Sequence, residues 1–94
     1  MAKKILIDSK TEMKTAVSFM EEILGDRGVP KNIRAAVERA RQKLNAEIDL
    51  DSNLSSAIYE LDDVSADINM PEHTRTTLWE IVSELERVKE LIKK

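Results

Sequence analysis

The chain has no cysteine, a single histidine, two glycines, two prolines and three aromatic residues in 94 positions. Without cysteine there is neither a disulfide framework nor a thiolate nucleophile, and one histidine leaves no conventional zinc site. So few glycines and prolines fit neither a disordered composition nor a sheet of many strands, which needs frequent turns. No apolar run approaches the roughly 20 residues that span a bilayer. Met1 to Lys14 lacks the basic stretch and long apolar core of a signal peptide. The expectation is a cytoplasmic protein of one domain, residues 1–94, with no membrane contact.

What the chain does contain is charge and helical periodicity. Some 41% of residues are apolar and 35% are charged, with a net charge of -3. Apolar residues recur at i, i+3, i+4 and i+7 in four blocks. These are Met13, Ala16, Val17, Met20, Ile23 and Leu24; Ile33, Ala36, Val37, Ala40 and Leu44; Leu54, Ala57, Ile58, Leu61 and Val64; and Leu78, Ile81, Val82, Leu85, Val88 and Ile92. Ser9 with Glu12 forms a capping-box pattern at the first block, and Gly25 and Gly28 mark its end. Pro30 and Pro71 open the second and fourth blocks, where a missing N–H costs nothing. Asp49, Asp51 and Ser52 offer caps for the third. Helices are therefore predicted near 9–25, 30–47, 51–66 and 71–93.

Laying Pro71 over Pro30, a shift of 41 residues, superposes Ala16, Asp26, Arg34 and Leu44 on the identical Ala57, Asp67, Arg75 and Leu85. The apolar stripe repeats too: Met13, Val17, Met20, Ile23, Val29 and Val37 fall on Leu54, Ile58, Leu61, Val64, Met70 and Leu78. A duplicated helical hairpin explains this, with one copy at 12–47 and the other at 53–88, neither able to bury its apolar face alone. Two such hairpins make an all-α, up-and-down four-helix bundle. Within each copy an Asp precedes the proline by four residues and an Arg follows by four: Asp26, Pro30, Arg34, then Asp67, Pro71, Arg75. These residues are expected to fix the turn, the Asp accepting backbone hydrogen bonds and the Arg reaching back to that carboxylate. Val29 and Met70, pushed out of helical geometry by the next proline, would plug the open end of the hairpin. The pattern looks like the hairpin of HEAT repeats, although its Asp-to-Arg spacing is longer and two copies are too few for a solenoid.

The segment Asp67 to Glu86, DINMPEHTRTTLWEIVSELE, resembles a motif of a small archaeal family, uncharacterised protein family zero-one-four-seven, and Asp26 to Ala36, DRGVPKNIRAA, resembles that family's other motif. Pro30, Asn32, Ile33 and Arg34, then Asn69, Pro71, His73, Arg75, Thr76, Trp79, Ser83 and Leu85, carry the match, which spans roughly 12–88. The resemblance implies an archaeal cytoplasmic four-helix bundle. It implies no activity.

Catalytic residues, metal ligands and cofactors are all expected to be absent. Asp49, Asp51, Asn53 and Glu60 imitate calcium-loop spacing, but Leu54 stands where the loop's sharp turn needs glycine, and it belongs to a helical stripe. Glu60, Asp62, Asp63 and Asp67 read as a solvated acidic face. His73 has no companion ligand, and no glycine-rich phosphate loop, nucleophile elbow or carboxylate-histidine motif accompanies it. No small-molecule substrate is predicted.

Two features suggest binding instead. Tyr59 and Trp79 lie off the centres of their helices' apolar stripes, as interface anchors do, unless Ile5, Leu6 and Ile7 fold back over them or the core is broad enough to include them. Charge is also uneven: residues 1–47 carry net +3 and 48–94 net -6. Lys31, Arg34, Arg39, Arg41 and Lys43 offer phosphates a basic second helix, interrupted by Glu38 and without any recognised nucleic-acid module. The leading reading is a non-catalytic protein-interaction module contacting a protein partner or a second copy through Tyr59 and Trp79. The alternative is an accessory RNA- or ribosome-binding protein using the basic helix.

Overall fold

Helix α1 runs Ala2–Leu24, α2 Lys31–Asn45, α3 Leu50–Val64 and α4 Glu72–Ile92. The computed structural model describes residues 2–45 and 49–92, with side chains over 11–45 and 49–92. Among the described residues there is no strand. Most residues of the periodic stripes are withdrawn from water: Ala16, Met20, Ile33, Val37, Ala40, Leu54, Ala57, Leu61, Leu78, Ile81, Leu85 and Val88 are each 0% exposed, while Met13, Val17, Leu24, Ile58, Val64, Val82 and Ile92 are partly buried against them. Burial of one such Leu, Ile or Met side chain stabilises the fold by about 1.5–3 kcal/mol relative to its exposure.

The four helices form a square bundle. α1 packs most extensively on α4 and α2 on α3, with lighter contacts closing α1 on α2 and α3 on α4, and no close approach across the diagonals. The two turns, 25–30 and 65–71, sit at the same end, as up-and-down topology requires, because Asp26 meets His73 there and Asn32 meets Asp67. The tightest helix pairs thus join one half of the chain to the other.

Two local expectations, the caps at Ser9 and Asp49, give way to the structure. Ser9 does not cap α1, which runs on as helix back to Ala2. Nothing from Ala2 to Lys10 breaks a helix, so propagation outweighs a cap worth about 1 kcal/mol. α1 ends at Leu24, directly before Gly25, as expected, and neither Gly25 nor Gly28 has positive φ. The chain turns through Asp26 N–H to Ile23 O (3.1 Å) and Val29 N–H to Asp26 O (3.2 Å). Asp49 precedes α3 but makes no side-chain cap bond, having taken up a left-handed backbone at φ 53; its carbonyl accepts from Asn53 N–H at 2.9 Å. Pro30 and Pro71 stand one residue before their helices and accept the first intrahelical bonds through their carbonyls, from Arg34 N–H (3.1 Å) and Arg75 N–H (3.0 Å). The predicted end of the second helix at residue 47 lies outside the described residues.

Candidate functional site

The turn end is built from two equivalent clasps. Asp26 Oδ1 accepts from Gly28 N–H at 2.8 Å, and its Oδ2 lies 2.9 Å from His73 Nε2. Asp67 Oδ1 accepts from Asn69 N–H at 2.8 Å, and its Oδ2 accepts from Asn32 Nδ2 at 2.6 Å. Each Asp orders its own turn with one oxygen and the opposite half of the chain with the other. Asn32 and His73 are themselves related by the 41-residue shift, so the crossing is reciprocal. Val29 and Met70 are buried beneath, at 2% and 6% exposure.

The arginines do not bind these carboxylates, contrary to expectation. Arg34 Nε donates to Val29 O at 3.2 Å, while Arg75 donates through Nη1 to Ser65 O at 2.6 Å and through Nη2 to Asp67 O at 3.2 Å. The guanidinium groups supply donors to carbonyls of the turns instead, and the carboxylates are already satisfied by the other half.

Hydrogen bonds to the ionised form hold both aspartates below the ordinary carboxylate range. For Asp26 the largest cause is His73, followed by Gly28 N–H; for Asp67 it is Asn32, followed by Asn69 N–H. With folded pKa values depressed, the stabilisation is complete above the ordinary aspartate value. As pH falls, the unfolded chain takes up protons first, and the contribution is gone once pH has passed below the folded values. Urea midpoints measured between about pH 5 and pH 2 are therefore expected to fall less steeply for the double variant Asp26→Asn, Asp67→Asn than for wild type. Parallel curves would show that the clasps carry no acid sensitivity.

Among the described residues, the large exposed apolar side chains are Ile68 at 92% in the turn between α3 and α4 and, further along the two helices, Tyr59 at 72% and Trp79 at 67% exposure. Trp79 follows the fully buried Leu78 and points outward between two depressions. One is an open groove of about 570 Å³ between α1 and α4, walled by Phe19, Thr15, Arg75, Glu80 and Glu84 as well as Trp79. The other is a hollow of about 120 Å³ towards α3, which Trp79 lines together with Asp62 and Ser65. Tyr59 lies on the same side of α3 as Asp62, three residues earlier. The side chains of Ile5, Leu6 and Ile7 lie outside the described residues, and their backbone continues α1.

Phe19 and Glu84 were not singled out by periodicity. Phe19 belongs to the Ala16, Met20, Ile23 face at i+3 from Ala16, which was the available signal. Glu84 is half-buried, and its Oε2 is shielded from solvent with no hydrogen-bond partner; nothing in the sequence marks it apart from neighbouring acids.

The basic residues of α2 are brought onto no common surface of free charge. Arg39 pairs with Glu60 at 3.1 Å. Arg41 is held by Glu38 at 2.8 Å and approaches Glu21 at 3.7 Å. Arg34 is turned to Val29 O, which leaves exposed Lys31 and half-buried Lys43. Asp51 and Asn53 are wound into α3, so with Glu60 they form no loop. No group of three or more potential metal ligands occurs among the described residues, and no helix among them is long and apolar enough to cross a membrane.

Comparison with known proteins agrees with this architecture. A relative from Methanocaldococcus jannaschii is 49% identical over 78 residues, covering 82% of this chain and 84% of its own. One from Archaeoglobus fulgidus is 34% identical, covering 85% and 92%. A crystal structure of a protein of unknown function, MMP1188, matches with TM-score 0.74 and 51% identity, over 80% of this chain and 86% of that one. The model of the uncharacterised protein family UPF0147 matches residues 1–88, and the chain belongs to that family.

Proposed function

We propose that this protein is a non-catalytic helical interaction module of the cytoplasm, whose α4 surface around Trp79, flanked by Tyr59 on α3, contacts a protein partner or a second copy. The observation that carries this reading is the placement of Trp79. A large aromatic 67% exposed beside an open groove gains more from a partner than from water, and Trp is the residue type most enriched among side chains that dominate interface energy. Tyr59, 72% exposed on the neighbouring helix α3, adds a second exposed aromatic, and two of them call for a partner more than a single exposed side chain does. The basic helix offers less, since its three arginines are engaged inside the molecule.

Capture of partners from native cell extract tests the reading. Trp79→Ala is expected to reduce recovery of nuclease-resistant partners while the helical circular dichroism is unchanged. Undiminished recovery, or partners that all disappear with nuclease, would overturn it.

A further inference from the structure

The groove beside Trp79 is not uniformly apolar. Phe19 and Trp79 line it together with two carboxylates one turn apart on α4, Glu80 and Glu84. Among the described residues neither carboxylate is in an ion pair, and Glu84 Oε2 is shielded from solvent without a donor. The one cation on the wall, Arg75, has both terminal nitrogens committed to Ser65 O and Asp67 O. Part of its field falls on Asp67, and two glutamates against one arginine leave the wall net negative.

Resting on the interaction reading above, we propose that this groove receives a lysine or arginine side chain presented by a partner protein. An aromatic face attracts a cation through its quadrupole, and attracts it more strongly as water is excluded. The aliphatic stem of such a side chain covers Phe19 and Trp79 while its head supplies a charge-assisted donor to Glu80 and Glu84. A wholly apolar occupant would desolvate two carboxylates without compensation, and an anion would meet them directly. The half of the chain that holds α4 carries net charge -6, a field that steers a basic partner surface towards it.

The test uses the full chain and small analogues of the two side chains. Because the protein has one tryptophan, a single indole N–H resonance reports the site. It is followed while n-butylammonium or n-butylguanidinium chloride is added, with n-butanol and sodium chloride at matched ionic strength as controls. A saturable shift is expected with the two organic cations, weakened at least about fivefold in both Glu84→Gln and Glu80→Gln, with butanol several-fold weaker. Glu80 is exposed, so its variant keeps the test valid should Glu84→Gln fail to fold. An equal response to butanol, no saturation, or cation binding indifferent to the carboxylate changes overturns the proposal. If Trp79-dependent capture persists alongside such a result, the interaction reading stands and only the basic side chain is refuted. Carboxylate-dependent cation binding without Trp79-dependent capture supports the groove chemistry and refutes the interaction reading.

Discussion

Leu78→Ala is expected to destabilise the fold by about 2–5 kcal/mol, whereas Trp79→Ala, one position along the same helix, is expected to leave stability within about 0.5 kcal/mol of wild type. Leu78 is 0% exposed in the centre of the bundle, so truncation loses its transfer free energy and leaves a cavity that the close-packed neighbours fill only in part. Trp79 is 67% exposed, and its removal returns little surface to water. For a small domain with a total stability of about 5–15 kcal/mol, the first change threatens folding at modest denaturant and the second leaves the urea midpoint nearly in place. Equilibrium urea unfolding followed by circular dichroism separates the two. A large loss for Trp79→Ala would mean that the indole is part of the core, and the surface described here would not exist.

Arg75→Ala is expected to cost more than Arg34→Ala, although the 41-residue shift makes the two residues equivalent in sequence. Arg75 donates to two carbonyls, Ser65 O at 2.6 Å and Asp67 O at 3.2 Å, while Arg34 makes one such bond, to Val29 O at 3.2 Å. Hydrogen bonds from a charged donor contribute about 1.5–3 kcal/mol each. Both side chains are only half-buried, and water replaces part of what is lost. Losses of about 2 kcal/mol for Arg75→Ala and about 1 kcal/mol for Arg34→Ala follow, measurable as separate midpoints in the same urea experiment. Arg75→Lys should not restore the difference, because an ammonium cannot span two carbonyls as a planar guanidinium does. Equal losses at both positions would contradict the asymmetry of the two turns.

The contrast between what was legible in the sequence and what was not follows the range of the interactions involved. Helical period and proline position are local signals, and they placed Met20, Ile33, Leu61 and Leu85 in the core and the turns near residues 25–30 and 65–71. The Asp26 and Asp67 contacts are not local. The spacing within each copy suggested an arginine partner eight residues away, whereas the real partners, His73 and Asn32, lie 47 and 35 residues distant. Only the fold brings them within 3 Å, although the alignment of Asn32 with His73 was present in the repeat. The Ser9 and Glu12 pattern misled for the opposite reason: a cap is a preference of fixed size, and a segment with no breaker continues as helix through it. Phe19 and Glu84 share a groove because α1 and α4 lie side by side, and such a groove belongs to two helices and to neither sequence alone.

The most direct test of the account sends wild type, Trp79→Ala and Lys31→Ala through the same nuclease-treated native extract at equal concentration and quantifies what each retains. A residue that anchors an interface contributes about 2 kcal/mol or more when truncated, which is a loss of roughly thirtyfold in affinity. Trp79→Ala is expected to lose most of the partner recovered by wild type while Lys31→Ala retains it. Equal recovery by Trp79→Ala and wild type, or a loss confined to Lys31→Ala, would contradict it.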